Sequence, residues 1–217
     1  MQIKFWGVRG SIPSGNPETA GVGGNTTCVE IRCGDELIII DTGTGVRKLG
    51  MSLMKEMPVK ATILFSHVHW DHIQGFPFFA PFFIPGNEFR VIGGTSLPST
   101  IEEVLNQQMT PPCFPVKTDL FGSKITYQDV KPGDVIEGEN YKITLTALYH
   151  PNGCYAYRIE HEGQTLVFST DCEHYEDKPN KILIELSRDV DALIYDAQYT
   201  EDEYYGLNGQ FSRKGWG

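Results

Sequence analysis

From Ser66 to Ile73 the chain reads Ser-His-Val-His-Trp-Asp-His-Ile, placing four metal-capable side chains, His67, His69, Asp71 and His72, within six residues. Residues 60–65 just before it, Lys-Ala-Thr-Ile-Leu-Phe, form an apolar run expected to be a buried strand. On an extended chain His67 and His69 point the same way, because side chains alternate with a period of two. Asp71 and His72 follow on the turn, where they can face a second ion beside the first. The segment after them, opening at Ile73, is expected to start a short helix. Neutral imidazole suits zinc and other late divalent metals, and carboxylate adds charge neutralisation.

Two further strands end in residues of the same kind. Residues 141–149 alternate in hydrophobicity and lead into His150, and residues 164–170 lead into Asp171. In layered α/β proteins, sites form beyond the carboxyl ends of strands, where loops converge. Strands ending at His67, His150 and Asp171 therefore point to one metal site.

This pattern, His67-Val68-His69-Trp70-Asp71-His72 followed by His150 and Asp171, resembles the metallo-β-lactamase fold superfamily. Asp41, which closes the run Leu-Ile-Ile-Ile-Asp-Thr-Gly, matches the superfamily's first motif, where the aspartate supports the site. The resemblance implies an α/β (α+β) fold, a four-layer αββα sandwich, over the whole of residues 1–217. It also implies that His67, His69 and His150 hold one divalent ion, that Asp71 and His72 hold another, and that Asp171 bridges them. Zinc is the first expectation for both ions, with manganese and iron as alternatives. The superfamily's usual last ligand is a histidine after the final strand. No histidine follows His174, so that ligand is expected beyond Gly217, with the natural polypeptide continuing past Trp216-Gly217. His174 is the rival for the place, or a substrate-side group.

The elements that must position these residues can be read in order. Residues 2–6 are expected to be a strand, and the Gly-, Pro- and Ser-rich residues 7–25 a long loop. Arg9, Ser11 and Asn25 are candidate substrate contacts on that loop, with a turn role as the alternative for Asn25. Residues 28–32 and 36–40 suit a hairpin around Gly34-Asp35. Residues 44–57 suit a helix whose Val46, Leu49, Leu53 and Met57 form an apolar core face. The aromatic residues 76–83 are read as sheet packing, with a substrate wall as the alternative. A strand at 89–92 precedes a helix from a Ser99–Glu102 capping box to Met109. Strands are expected at 124–130, 135–137, 142–148, 155–160 and 165–169, with His161 solvated beside a turn. A helix at 178–190 and a buried strand at 192–195, ending at Asp196, complete the reading.

Composition sets the outer bounds. The chain has 217 residues, 40% hydrophobic and 21% charged, with a formal net charge of −10. That size supports a sizeable core. The negative balance argues against an extended nucleic-acid surface, which needs clustered Lys and Arg. It leaves room for a small anionic substrate, because two metal ions dominate the local field. The five cysteines lack paired spacing and read as reduced thiols of a cytoplasmic protein. Residues 1–5 do not read as a signal peptide, and the longest apolar stretch, broken by Pro77 and Pro81, is too short to span a membrane. A homodimer is left open.

Two divalent ions about 3.5–4 Å apart bind a bridging hydroxide and stabilise a leaving oxyanion. Asp171 stands where several β-lactamases carry cysteine, so antibiotic hydrolysis is disfavoured. The closing stretch from Leu193 to Tyr199 resembles the ribonuclease Z and phosphodiesterase branch, with Tyr195-Asp196 in place of its His-Glu pair. Asp196 is then either a positioner of a proton donor or a strand cap. The expectation is a phosphodiesterase for a small diester such as a cyclic nucleotide. The alternatives are a lactone or thioester hydrolase, or a metal-retaining binding module.

Overall fold

Ile38, Ile39 and Ile40 are consecutive and all fully buried, as expected of a strand covered on both faces of a sheet. They belong to a computed structural model that describes residues 1–95, 97–173 and 179–214. The chain forms two units, Met1–Val130 and Lys131–Gly217, each built on its own sheet.

The first unit holds β1 (Gln2–Gly7), β2 (Cys28–Cys33), β3 (Glu36–Ile40), β4 (Lys60–Leu64), β5 (Glu88–Gly93) and β6 (Lys124–Asp129). They lie in chain order across a six-stranded sheet. The β1–β2–β3 pairs are antiparallel, and β3, β4, β5 and β6 run parallel. The helices α1 (Val46–Leu53) and α3 (Ile101–Gln107) supply Val46, Leu49, Leu53, Ile101 and Leu105 to a core with Ile39, Ile63, Phe65 and Val91. The short α2 (Trp70–Ile73) follows β4. Phe76, Phe79 and Phe82, on and between two 3₁₀ turns, are fully buried in the same core, with Phe82 tilted against Phe76 and edge to face with Phe79. These three pack in the core as expected, while Phe78 and Phe83 of the same run are exposed.

The second unit holds β7 (Val135–Glu137), β8 (Lys142–Leu148), β9 (Cys154–His161), β10 (Gln164–Ser169) and β11 (Ala192–Tyr195), in the sheet order β11-β10-β9-β8-β7. All neighbours are antiparallel except β10 and β11. Because β8 and β10 are both antiparallel to β9, they run in the same direction, and β11 joins them. His150, Asp171 and Asp196 thus leave the same end of this sheet. The helix α4 (Lys181–Leu186) buries Leu183 against Leu148, Ala156 and Val167, and α5 (Glu201–Tyr205) follows β11.

Several local expectations need correction. The first helix is shorter than 44–57, because the Thr44 amide and hydroxyl are bound to Thr26 and Asn25 and Met54 already closes its end. Within the helix the core face is Val46, Leu49 and Leu53, and Met57, past its end, packs partly buried against the same core as expected, while Met51 and Met54 face solvent. The capping box is Thr100–Glu103, one residue later than read, with the Glu103 amide donating to Thr100 Oγ1 at 3.1 Å. Asn180 caps α4, so the helix starts at Lys181 and leaves Pro179 before it. His161 is buried, with Nδ1 2.7 Å from the Asn140 carbonyl oxygen. Strand β11 is a sheet edge, which leaves Leu193 46% and Tyr195 38% exposed. Among the described residues, no helix is long and apolar enough to cross a membrane.

Candidate metal centre

The parallel pairing of β3 and β4 sets Ile40 beside Leu64, so the residues leaving both strands emerge together. Asp41 takes a left-handed conformation, φ 60°, and turns its carboxylate onto the chain leaving β4. There Oδ1 accepts the Ser66 amide at 2.8 Å, and Oδ2 accepts the Ser66 hydroxyl at 2.7 Å. The same Oδ2 lies 2.8 Å from His72 Nδ1. Asp41 and His72 are both fully buried or nearly so. Burial pushes the Asp41 carboxyl above its ordinary value, opposed by the attraction and hydrogen bonds of His72 and Ser66. A carboxylate at Nδ1 fixes an imidazole tautomer and directs Nε2 outward as a ligand.

That nitrogen lies 3.5 Å from Asp71 Oδ2. Asp71 and His72 both sit on α2, which begins at Trp70 and so takes up more of the motif than a turn would. His69 caps this helix in extended conformation, which keeps it in line with His67 as the strand period requires. The His67 ring is 4.5 Å from that of His69 and 4.1 Å from that of His72, centroid to centroid. In each of these pairs, nitrogen atoms come within 4.8 Å of one another. Charging both rings of such a pair would cost about 4 kcal/mol at an effective dielectric of about 20. The arrangement suits neutral imidazoles gathered on a cation, and with Asp71 the set fits borderline divalent metals such as zinc.

Glycines let this turn close. A Cβ on Gly43 would come within 2.3 Å of the Asp71 carbonyl oxygen, and one on Gly75 within 2.2 Å of the Gly43 carbonyl oxygen. The Thr42 amide donates to the His72 carbonyl and the Gly75 amide to the Thr42 carbonyl, each at 2.8 Å. The loop after β3 is thus clamped onto α2.

The long first loop reaches the motif by its backbone. The Ser11 amide donates to Asp71 Oδ2 at 2.7 Å, with Ser11 in the left-handed region. Arg9 Nε donates to the Gly23 carbonyl, and the amides of Val8 and Arg9 both donate to the Asn25 carbonyl at 3.0 Å. Asn25 Oδ1 accepts the Thr44 hydroxyl at 3.2 Å. Arg9 and Asn25 therefore brace the loop itself, which is the turn role weighed for Asn25.

In the second unit His150 follows β8 and is buried, with its carbonyl accepting the Gly153 amide at 3.0 Å. Asp171 follows β10 with φ 55°, and its amide donates to Asp196 Oδ2 at 3.1 Å. Asp196 Oδ1 accepts the Gln198 amide at 2.9 Å. Both oxygens of Asp196 thus hold backbone, the strand-cap role. Burial, and then the nearby Asp171 charge, raise its pKa. His174 lies outside the described residues, as do Trp216 and Gly217. Sequence reading missed the anchoring of α5, where the Tyr204 hydroxyl donates to the buried Glu173 at 2.6 Å. The only signal for it was the tyrosine-rich stretch around residue 204.

Two mixed sheets with helices, and a His/Asp motif at the end of a parallel strand, define a metal-binding α/β protein of the metallo-β-lactamase fold. The chain belongs to the beta-lactamase superfamily, whose domain profile matches residues 37–215. It is similar to a protein named ribonuclease Z from Methanosarcina acetivorans, 24% identical, covering 93% of this chain and 76% of the relative. It is also similar to the probable metallo-hydrolase YhfI of Bacillus subtilis, 26% identical over 94% of this chain and 75% of that one. The crystal structure of YhfI, a metallo-β-lactamase fold protein, superposes with a TM-score of 0.67 at 20% identity, covering 94% of this chain and 74% of YhfI. The short form of human tRNase Z gives 0.66 at 15% identity, covering 99% of this chain and 85% of that one.

Proposed function

We propose that the protein is a cytoplasmic two-metal phosphodiesterase for a small anionic diester, such as a cyclic nucleotide. The observation that carries this reading is the Asp41–Ser66–His72 network beside His67, His69 and Asp71. It prepares imidazole and carboxylate donors for more than one ion on a single turn. In this reading His150 joins His67 and His69 on one ion, Asp71 and His72 take the second, and Asp171 is shared. Two such ions, when bound, supply a nucleophile at neutral pH and charge stabilisation for the leaving oxygen. Zinc fits the imidazole-rich half, and manganese or iron fits the carboxylate half equally well.

The chain's own residues keep this site in shape. Asp41 fixes the His72 ring, the Ser11 amide holds Asp71, and Asp196 sets the backbone turn that presents Asp171. Arg9 and Asn25 shape the loop beside the motif, and the Arg9 charge is available to an anionic substrate. The ribonuclease Z relative supports phosphodiester chemistry, while a net charge of −10 favours a small diester over a long polyanion.

The test is hydrolysis of bis(p-nitrophenyl) phosphate by the full-length protein loaded with zinc or manganese, with His69→Ala as control. Metal-dependent turnover, lost by at least a hundredfold (~10²) in the variant, is the expected result. No turnover with both metals bound would sink the phosphodiesterase reading and move attention to lactones and thioesters.

A further inference from the structure

Behind the Asp171 turn the second unit contains a cavity of about 350 Å³, lined by Asp196, Gln198, Tyr199, Glu201, Tyr204 and Tyr205 among others. This is at the small end for ligand pockets, right for one ring system and too small for an oligonucleotide. Two of its tyrosines, Tyr204 and Tyr205, are held in place before any ligand arrives. Tyr204 is tied through its hydroxyl to Glu173 and packs edge to face with Tyr205, at a centroid distance of 5.1 Å. Lys214 Nζ lies 5.0 Å from the Tyr205 ring centroid. The chain after α5 folds back over it, with the Arg213 amide donating to the Tyr204 carbonyl at 3.1 Å and Ser212 Oγ donating to it at 3.0 Å. Gly206 permits that return, since its φ is 69° and a Cβ there would meet the Ser212 amide at 2.6 Å.

The charge of the lining is selective. Asp196 and Glu201 contribute carboxylates, and no lysine or arginine lines the cavity among the described residues. A phosphate would be repelled, whereas a neutral planar ring with amino donors would be accepted. Gln198 offers both a donor and an acceptor to the edge of such a ring. Asp196 belongs to this lining and also accepts the Asp171 amide, so the cavity wall is one residue contact from a proposed metal ligand. We propose that it is a nucleobase subsite, which receives the base of a small nucleotide while the phosphate is held toward the metals. This rests on the phosphodiesterase reading and names its substrate class.

The experiment is calorimetric titration of the full-length protein with adenosine 5′-monophosphate and, separately, ribose 5-phosphate. The base should tighten binding by about five- to a hundredfold, the range for one stacked base. Tyr199→Ala and Tyr205→Ala should remove most of that difference and leave ribose 5-phosphate unchanged, while Tyr205→Phe keeps it. Equal affinity for the two probes, no binding of either, or a base preference that survives both alanine variants would overturn the proposal. Diester hydrolysis without a base preference would remove the subsite and keep the diesterase. A base preference in a protein that cleaves no diester would keep the subsite and remove the diesterase.

Discussion

Asp41 does not reach a metal itself; its two oxygens are occupied by Ser66 and His72. Its contribution is orientation, and orientation of a ligand imidazole is worth about 10- to 100-fold in metal affinity. Asp41→Ala should therefore weaken the binding of one zinc equivalent by about that factor, as read by chelator competition. It should also lower the stability of the metal-free protein by about 1–3 kcal/mol, because the buried Ser66 amide and hydroxyl lose their acceptor. Affinity unchanged for both equivalents would show that Asp41 only packs. At this scale the sequence was informative where residue type decides: the motif, Asp41 and Asp171 were legible from order and spacing. It was not informative for Ser11, whose contribution is a backbone amide held in a left-handed turn, nor for His161, which is buried with its ring against the Asn140 carbonyl of the bend between β7 and β8.

The element that matters is the β4–α2 turn clamped by the loop after β3. The clamp consists of backbone hydrogen bonds through positions where a side chain has no room. Gly75→Ala places a methyl group 2.2 Å from the Gly43 carbonyl and 2.7 Å from the Thr42 carbonyl, neither of which is a flexible side-chain tip. The expected outcome is a loss of about 1–3 kcal/mol in denaturant unfolding, together with weakened metal binding. Gly15→Ala, with nothing within 4 Å of the added carbon, is the matched control and should be near neutral. Strands β3 and β4 were legible from their apolar runs of Ile and Leu, and β2 from its place across the Gly34-Asp35 turn from β3. Element ends were less so. Thr44 and Gly45 look like a helix start, but their amides are bound to Thr26, a tertiary contact that local pattern does not reveal. Strand β11 looked fully buried from its apolar composition, yet its place at the sheet edge exposes half of it.

At the scale of the whole molecule, each unit releases its candidate residues from strands that run parallel within that unit's own sheet. Asp41 and His67 leave β3 and β4, while His150, Asp171 and Asp196 leave β8, β10 and β11. This is the pattern that let candidate residues be read from the sequence, because each stands just after a hydrophobic strand. The tyrosine cavity had no such signature, since it depends on α5 folding back beside Asp196. In the proposed reading, the acidic balance favours a small substrate. The central claim is that two metal ions, held by this donor set, cleave a phosphodiester. Its most direct measurement is titration of the metal-free, full-length protein with zinc while following bis(p-nitrophenyl) phosphate hydrolysis. The account predicts little turnover over the first equivalent, a rise over the second and a plateau thereafter. Full activity at one equivalent, or two bound equivalents with no turnover, would contradict it.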